Sequence, residues 1–337
     1  MQKLLYGVGG LLALLIIIGF TLPSKGRFVV SAEVDAPAAT VFALVNDMRR
    51  VDVWAPIGGL DPNAQVIFSG PARGVGSTRT WDGVVAGSGT QTITESRPYA
   101  YVETRLNLGE PGETKTWFEL TDGGTRTLVS WGYEHDYGLN IVGRYVGAMI
   151  TGVIRREYER GLSDLKDFAE GLPATNFGDL EIEQIVVESQ PIALRPVSSA
   201  PDPASMSEAM GEAYFEILTF IDLEDLAEAG APLAIMRRPR GSELRFDAAI
   251  PIRGLTDETA QSSGNVRIDS TYEGAVIRVR HTGSYRTLGD THRKILAYLT
   301  VLDIQQNGDP WESFVSDPAE TPEAELLTWI YYPIRVQ

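Results

Sequence analysis

The feature that most constrains this chain is a segment written twice. ILTFIDLEDLAEAGAPLAIM, beginning at Ile217, returns as ILAYLTVLDIQQNGDPWESF, beginning at Ile295, at a constant offset of 78 residues. Ile217/Ile295, Leu218/Leu296, Phe220/Tyr298, Ile221/Leu299, Asp225/Asp303, Leu226/Ile304, Gly230/Gly308 and Pro232/Pro310 coincide without a gap. In each copy the apolar positions have helical spacing, and the Gly-x-Pro predicts the end of the helix. A strand-like run follows, LRFDAAIPI in the first copy and LLTWIYYPI in the second. Counting back four from the closing proline makes Asp247 and Trp329 equivalent. Two copies of one unit pair about a pseudo-twofold axis, and such an axis creates a cleft.

The residues around this repeat resemble the GyrI-like effector-binding domain, a small-molecule-sensing module. The likeness is carried by His281-Thr282-Gly283-Ser284-Tyr285, Phe314-Val315-Ser316-Asp317-Pro318 and Thr328-Trp329-Ile330. It covers residues 180–337. It implies a duplicated strand-helix-strands domain with an aromatic cleft whose floor carries a carboxylate. Where the family has Thr-Glu-Ile this chain has Thr328-Trp329-Ile330, so the implied carboxylate is replaced by an indole. Asp247, Tyr285, Trp311, Phe314, Trp329 and Tyr331 are the expected ligand contacts of this second domain, with Trp329 and Asp247 meeting across the axis.

Residues 25–172 have another pattern. Phe28, Val30, Ala32 and Val34 alternate with polar neighbours, as in a half-buried strand. Ala36-Pro37 then opens a short helix. Strand-like runs follow at 65–68, 76–81, 91–95, 99–106, 115–121 and 125–133, separated by Gly/Pro/Asp turn signals. A long helix closes the segment over 141–171, with Ile154, Tyr158, Leu162, Leu165 and Phe168 at three- and four-residue steps. Val30 to Pro37 leading into Val41–Asp47, then Trp54, Thr127 to Trp131 and Gly161 to Lys166, resemble the SRPBCC (START-like, polyketide-cyclase-like) family. That resemblance implies a helix-grip antiparallel sheet wrapped on the last helix around an apolar cavity. Trp54, Trp81, Trp117, Trp131 and Tyr158 are the expected lining. The whole chain is thus expected to be α+β, with a linker at 173–179 (PATNFGD) between the two domains.

From Leu4 to Leu22 there are 19 residues without a charge, reaching about 28 Å as a helix. No small-x-small cleavage site follows, so residues 1–24 are expected to be an uncleaved anchor. The sequence thus predicts a single-pass protein of the inner membrane with its soluble part outside the cytoplasm.

Composition excludes several classes. A formal charge of −16 opposes a nucleic-acid partner, whose phosphates need a basic face. With no cysteine there is no disulfide, no thiolate nucleophile and no Cys-ligated zinc. The three histidines, His135, His281 and His292, are not at ligand spacing, so neither a metal nor a cofactor is expected. No carboxylate pair has the spacing of an acid/base couple. The expected function is binding of a small hydrophobic or aromatic molecule in each domain. A cyclase or hydrolase acting in one pocket, and an envelope assembly factor with vestigial pockets, are the alternatives.

Overall fold

The computed structural model describes residues 2–55, 61–109, 112–257 and 259–335. The terminal positions 1 and 336–337 of the expected domains lie outside these. The chain divides into two compact units, Met1–Gly178 with Thr300–Leu302, and Asp179–Leu299 with Asp303–Gln337.

The first unit opens with helix α1 (Gln2–Thr21). Among the described residues no helix is long and apolar enough to cross a membrane, so the span expected from Leu4 to Leu22 is not supported. Strands β1 (Lys25–Val34), β2 (Gln65–Ser69), β3 (Thr78–Gly83), β4 (Gly87–Arg97), β5 (Tyr101–Asn107), β6 (Glu113–Asp122) and β7 (Thr127–Asp136) form one antiparallel sheet in the order β1-β7-β6-β5-β4-β3-β2. Helices α2 (Ala38–Val45) and α3 (Met48–Trp54) interrupt the meander between β1 and β2. Asp47 caps α3 by accepting from the Arg49 amide at 2.9 Å. Helix α4 (Ile141–Glu170) is capped by Asn140, whose side chain accepts from the Gly143 amide. Leu162, Leu165 and Ala169 on its last turns are buried with Val34, Val41 and Leu44 in the core.

The second unit has helices α5 (Pro203–Leu223) and α6 (Leu288–Val301) and strands β8 (Ile182–Val187), β9 (Pro191–Ser199), β10 (Ala227–Glu228), β11 (Leu233–Arg240), β12 (Glu243–Arg253), β13 (Ser262–Ser263), β14 (Val266–Ser270), β15 (Gly274–Thr282), β16 (Trp311–Phe314) and β17 (Leu327–Pro333). Nine strands run in the order β13-β14-β9-β12-β11-β16-β17-β15-β8, and β10 pairs with β12. Only Glu188, Ser189 and Gln190 join β8 to β9, although five strands stand between them in the sheet. The sheet therefore curls until its far edge returns towards β9. Ile192, Leu194, Leu233, Ala249, Val276 and Trp311 fill one face, with Ile185, Val187 and Tyr331 packed on them. The other face carries the helices: Ala213, Ile217 and Phe220 of α5 pack on Ala193, Phe246 and Ile250. Ile295 and Leu299 of α6 pack on Ile277, Val279 and Ile330.

The duplication is visible atom by atom. Asp225 and Asp303 both have a left-handed backbone, φ 54° and 56°. Beside them the Leu226 amide donates to Ile221 O and the Ile304 amide to Leu299 O, each at 2.9 Å. The helices thus stop at Leu223 and Val301, several residues before the expected Gly-x-Pro. The αL aspartates release the chain early, and each Gly-x-Pro instead leads into a strand. β11 and β16 pair antiparallel with Leu233 opposite Ser313, Ala234 opposite Glu312 and Ile235 opposite Trp311. Because Ala234 and Glu312 are equivalent by the 78-residue offset, the pseudo-twofold axis passes between them. The Met236 amide donates to Pro310 O and the Phe314 amide to Pro232 O, both at 2.9 Å, closing the pairing reciprocally.

Candidate functional site

On the helix-bearing face of the second unit, a cleft of about 720 Å³ lies beside this axis. Met206, Met210 and Tyr214 of α5 form one wall; Tyr285 and Phe314 stand opposite, with Pro232 and Pro318 at its margins. Asp202 caps α5 by accepting from the Ser205 amide at 3.0 Å, which fixes the helix end at the mouth. Tyr285 packs edge-on against Phe314, ring centroids 5.3 Å apart.

Glu312, 5% exposed, lies on the axis opposite Ala234, and its charge reaches Tyr214 and Tyr285 of this lining. Its Oε1 accepts from His292 Nε2 at 2.8 Å, and His292 Nδ1 bonds the Tyr332 hydroxyl at 2.7 Å. With Nε2 donating to the carboxylate in the neutral ring, Nδ1 is left to accept from the phenol. Burial, and then the charge of Glu312, push the phenols of Tyr214 and Tyr332 well above the usual range. Tyr285 is raised as well, by burial first, then by Asp317 and Glu312. The symmetry mates are chemically different. His292 corresponds to Tyr214, whose hydroxyl donates to Leu233 O, and Glu312 corresponds to Ala234. One half of a near-symmetric cleft is therefore polar and acidic, while the other is methionine-rich.

Of the residues expected here, Tyr285 and Phe314 line the cleft. Asp247, Trp311, Trp329 and Tyr331 stand on the opposite face of the sheet. Strand alternation decides this: Phe246 and Ala248 face α5, so Asp247 faces away with Ala249. Ile330 and Tyr332 face α6, so Trp329 and Tyr331 face away. Asp247 is held by Arg237, Nη2 at 2.6 Å and Nε at 2.9 Å, and Arg237 also reaches Asp309. Trp329 lies under the Arg278 guanidinium, 4.4 Å from the ring centroid, while Trp311 stacks on Tyr331 at 4.8 Å. Asp247 shares its cross-strand row with Ile235, Trp311 and Tyr331. Two strands thus separate it from β17, a gap of about 14 Å at the usual strand spacing. Asp247 and Trp329 do not meet. The acid at the axis, Glu312, with His292, was missed by the sequence reading. The offset that maps Pro232 onto Pro310 also maps Ala234 onto Glu312 and could have found it.

In the first unit, the inward face of the sheet gathers an aromatic cluster. Phe118 and Trp131 stack at 4.8 Å, Trp131 meets Tyr158 of α4 at 4.2 Å, and Trp54 meets Trp131 at 5.6 Å. Thr116 Oγ1 accepts from Trp131 Nε1 and donates to Gly132 O. Burial pushes the Tyr158 phenol up to about 12, against a hydrogen bond with Thr116 and the charge of Arg79. Arg79, 7% exposed, donates to Gln91, Asp52 and the Ala55 carbonyl. Desolvation lowers the basicity of its guanidinium, and Asp52 opposes that. Trp81 shares this face, 5.9 Å from the Arg79 guanidinium. Trp117 does not: it pairs with Gly132, lies over it on the outer face, and is flanked by Arg27 and Lys115. Among the described residues no group of three or more His, Asp or Glu side chains is placed to hold a metal ion.

Residues 25–170 match the family described as polyketide cyclase/dehydrase and lipid transport. No curated protein matches the chain. Solved structures similar to it include an EcmrR–DNA complex, 12% identical over 58% of this chain and 72% of that one, with TM-score 0.41. The EcmrR C-terminal domain is 13% identical over 47% of this chain and 98% of that one, with TM-score 0.38. A hydrolase from Listeria innocua is 13% identical over 46% and 91%, with TM-score 0.34.

Proposed function

We propose that this protein binds small, largely hydrophobic or aromatic molecules, one in each unit, and that the cleft beside the pseudo-twofold axis is the more selective site. The observation that carries this reading is a largely apolar cleft of about 720 Å³, with Asp202, Arg286 and Asp317 in its lining and the buried carboxylate of Glu312 bearing on its tyrosines Tyr214 and Tyr285. Apolar walls supply affinity through area removed from water, and a few convergent polar groups set orientation. The ligand this geometry favours is a planar or branched hydrophobe with one hydrogen-bond donor or positive group directed at the acidic half. In the first unit the match to a lipid-transport family, the inward aromatics and buried Arg79 support an apolar ligand with one acceptor oxygen.

A second reading has an observation of its own. His292 bridges Glu312 and Tyr332, a chain along which a proton could move, as a hydrolase or cyclase would need.

Native mass spectrometry of the purified full chain, with titration of a planar fluorescent dye, tests the proposal. Met210→Trp should obstruct the cleft and weaken dye binding at the second unit, leaving any binding in the first. Unchanged dye affinity in that variant, with the fold intact, would refute the cleft as the site. A co-purified molecule released chemically altered would favour the catalytic reading instead.

A further inference from the structure

Helix α4 is amphipathic the wrong way round over its first half. Its inward side carries Arg144, 9% exposed, which donates to the carbonyls of Gly138, Phe20 and Leu22. Its outward side carries Val142, Val146, Met149, Ile150 and Val153, spaced along one face and exposed by 72%, 45%, 80%, 39% and 49%; Leu139 just before them is 82% exposed. In a chain with 22% charged residues, Arg144 is the only charge between Leu139 and Ile154, and Arg155-Arg156 then follow. Water is a poor partner for such a face, and contiguous exposed apolar surface of this kind marks an interaction site.

This face continues into α1. Tyr145 donates to Leu15 O at 2.7 Å, and Gly19 lies so close to Ile141 that a Cβ there would overlap it. On α1, Leu14, Leu15, Ile16, Ile17 and Ile18 are all exposed, at 52%, 44%, 49%, 62% and 40%. Five successive residues go more than once around a helix, so this stretch of α1 is apolar on every side. A protein partner or a second copy covers one stripe of a helix, whereas hydrocarbon covers all of it. Between residues 142 and 153 the large exposed side chains of α4 are valine, methionine and isoleucine, without the exposed tryptophan and arginine anchors of protein interfaces. Arg156, seven residues beyond Met149, stands at the far end of the face, where a long basic side chain can reach lipid headgroups while its stem stays in the apolar layer; Arg155 lies on the other side of the helix and pairs with Glu159 at 3.1 Å.

We infer that α1 and the amino-terminal half of α4 together seat this protein on a lipid bilayer, with Val142, Met149 and Val153 as contact points in the acyl boundary. The inference is independent of what either unit binds.

The absence of cysteine makes the test clean. An environment-sensitive fluorophore is attached to Met149→Cys or, as control, to Val84→Cys, which is 95% exposed in the β3–β4 turn. The full-length chain is then mixed with phosphatidylcholine vesicles, with and without nitroxide-labelled lipid. The Met149 label should shift to the blue and be quenched by the nitroxide, while the Val84 label does neither. Val142→Glu with Val153→Glu should weaken vesicle partitioning about tenfold or more, since two exposed apolar contacts become charges. A Met149 label that stays as wet as the control while the protein floats with vesicles would overturn the inference. A blue shift that grows with protein concentration in the absence of vesicles would also overturn it, by showing that a second copy covers the face.

Discussion

Removing the partner of Glu312 should cost far more than removing its charge. Glu312 is nearly sequestered, its side chain 6% exposed against 18% for His292. In His292→Ala the carboxylate loses its 2.8 Å donor while staying buried. Removing the donor of a buried carboxylate in this way costs about 2–3 kcal/mol, because the charged acceptor is left unsatisfied. In Glu312→Gln the geometry is kept and the hydrogen bond becomes a neutral one. The loss of about 1 kcal/mol of charge assistance is offset by relief of the desolvation penalty. That variant should therefore be within about 1 kcal/mol of the natural protein, on either side. In the Glu312→Gln background, His292→Ala should cost only about 1 kcal/mol, the contribution of a neutral hydrogen bond. The coupling energy is thus about 1–2 kcal/mol, outside the range of independent sites. Hydrogen exchange of peptides spanning β16 and β17, followed through a urea series on the full chain, measures it. Coupling below about 0.5 kcal/mol would refute the reasoning, because Glu312 would then not depend on His292. If the cleft needs the charge, Glu312→Gln should also weaken a ligand carrying a donor while sparing stability.

Two further outcomes are expected. Tyr214 and Tyr332 have folded-state values raised above their unfolded ones. Their contribution is therefore complete below about pH 10 and lost as pH rises further, at about 2.7 kcal/mol per pH unit for the two together. The phenolate absorbance of Tyr214 and Tyr332, isolated by difference from Tyr214→Phe and Tyr332→Phe, should appear only as the second unit unfolds; ionisation of these two phenols in the folded protein would contradict the burial. Gly132→Ala should destabilise the first unit by about 1–3 kcal/mol, since the new methyl would overlap the buried Trp117 indole. A thermal melt would show this, and Gly152→Ala, with open space around its Cβ position, is the control.

Local patterns were legible in the sequence wherever a single face had to be buried. The strands of the first unit fall within a few residues of their expected places, and α4 ends at Glu170, one residue short of expectation. Legibility failed where both faces were occupied. Thr116, Trp117 and Phe118 are all buried, so alternation did not reveal that Phe118 turns in and Trp117 out. The curled sheet of the second unit buries aromatics on both faces, and apolar character alone could not separate Tyr332 from Tyr331. The helix ends were misplaced because two aspartates with positive φ outweighed a Gly-x-Pro.

The meeting of Ala234 with Glu312 bears on how a molecule like this could arise. A true dimer of the first half would put two alanines at the crossing and leave the axis without an acid. A true dimer of the second half would set two glutamates directly opposite each other across neighbouring strands, where like charges repel. Joining two diverged copies in tandem escapes both. One gene then carries one acid, in the one place where an ancestor of identical halves had to carry none or two.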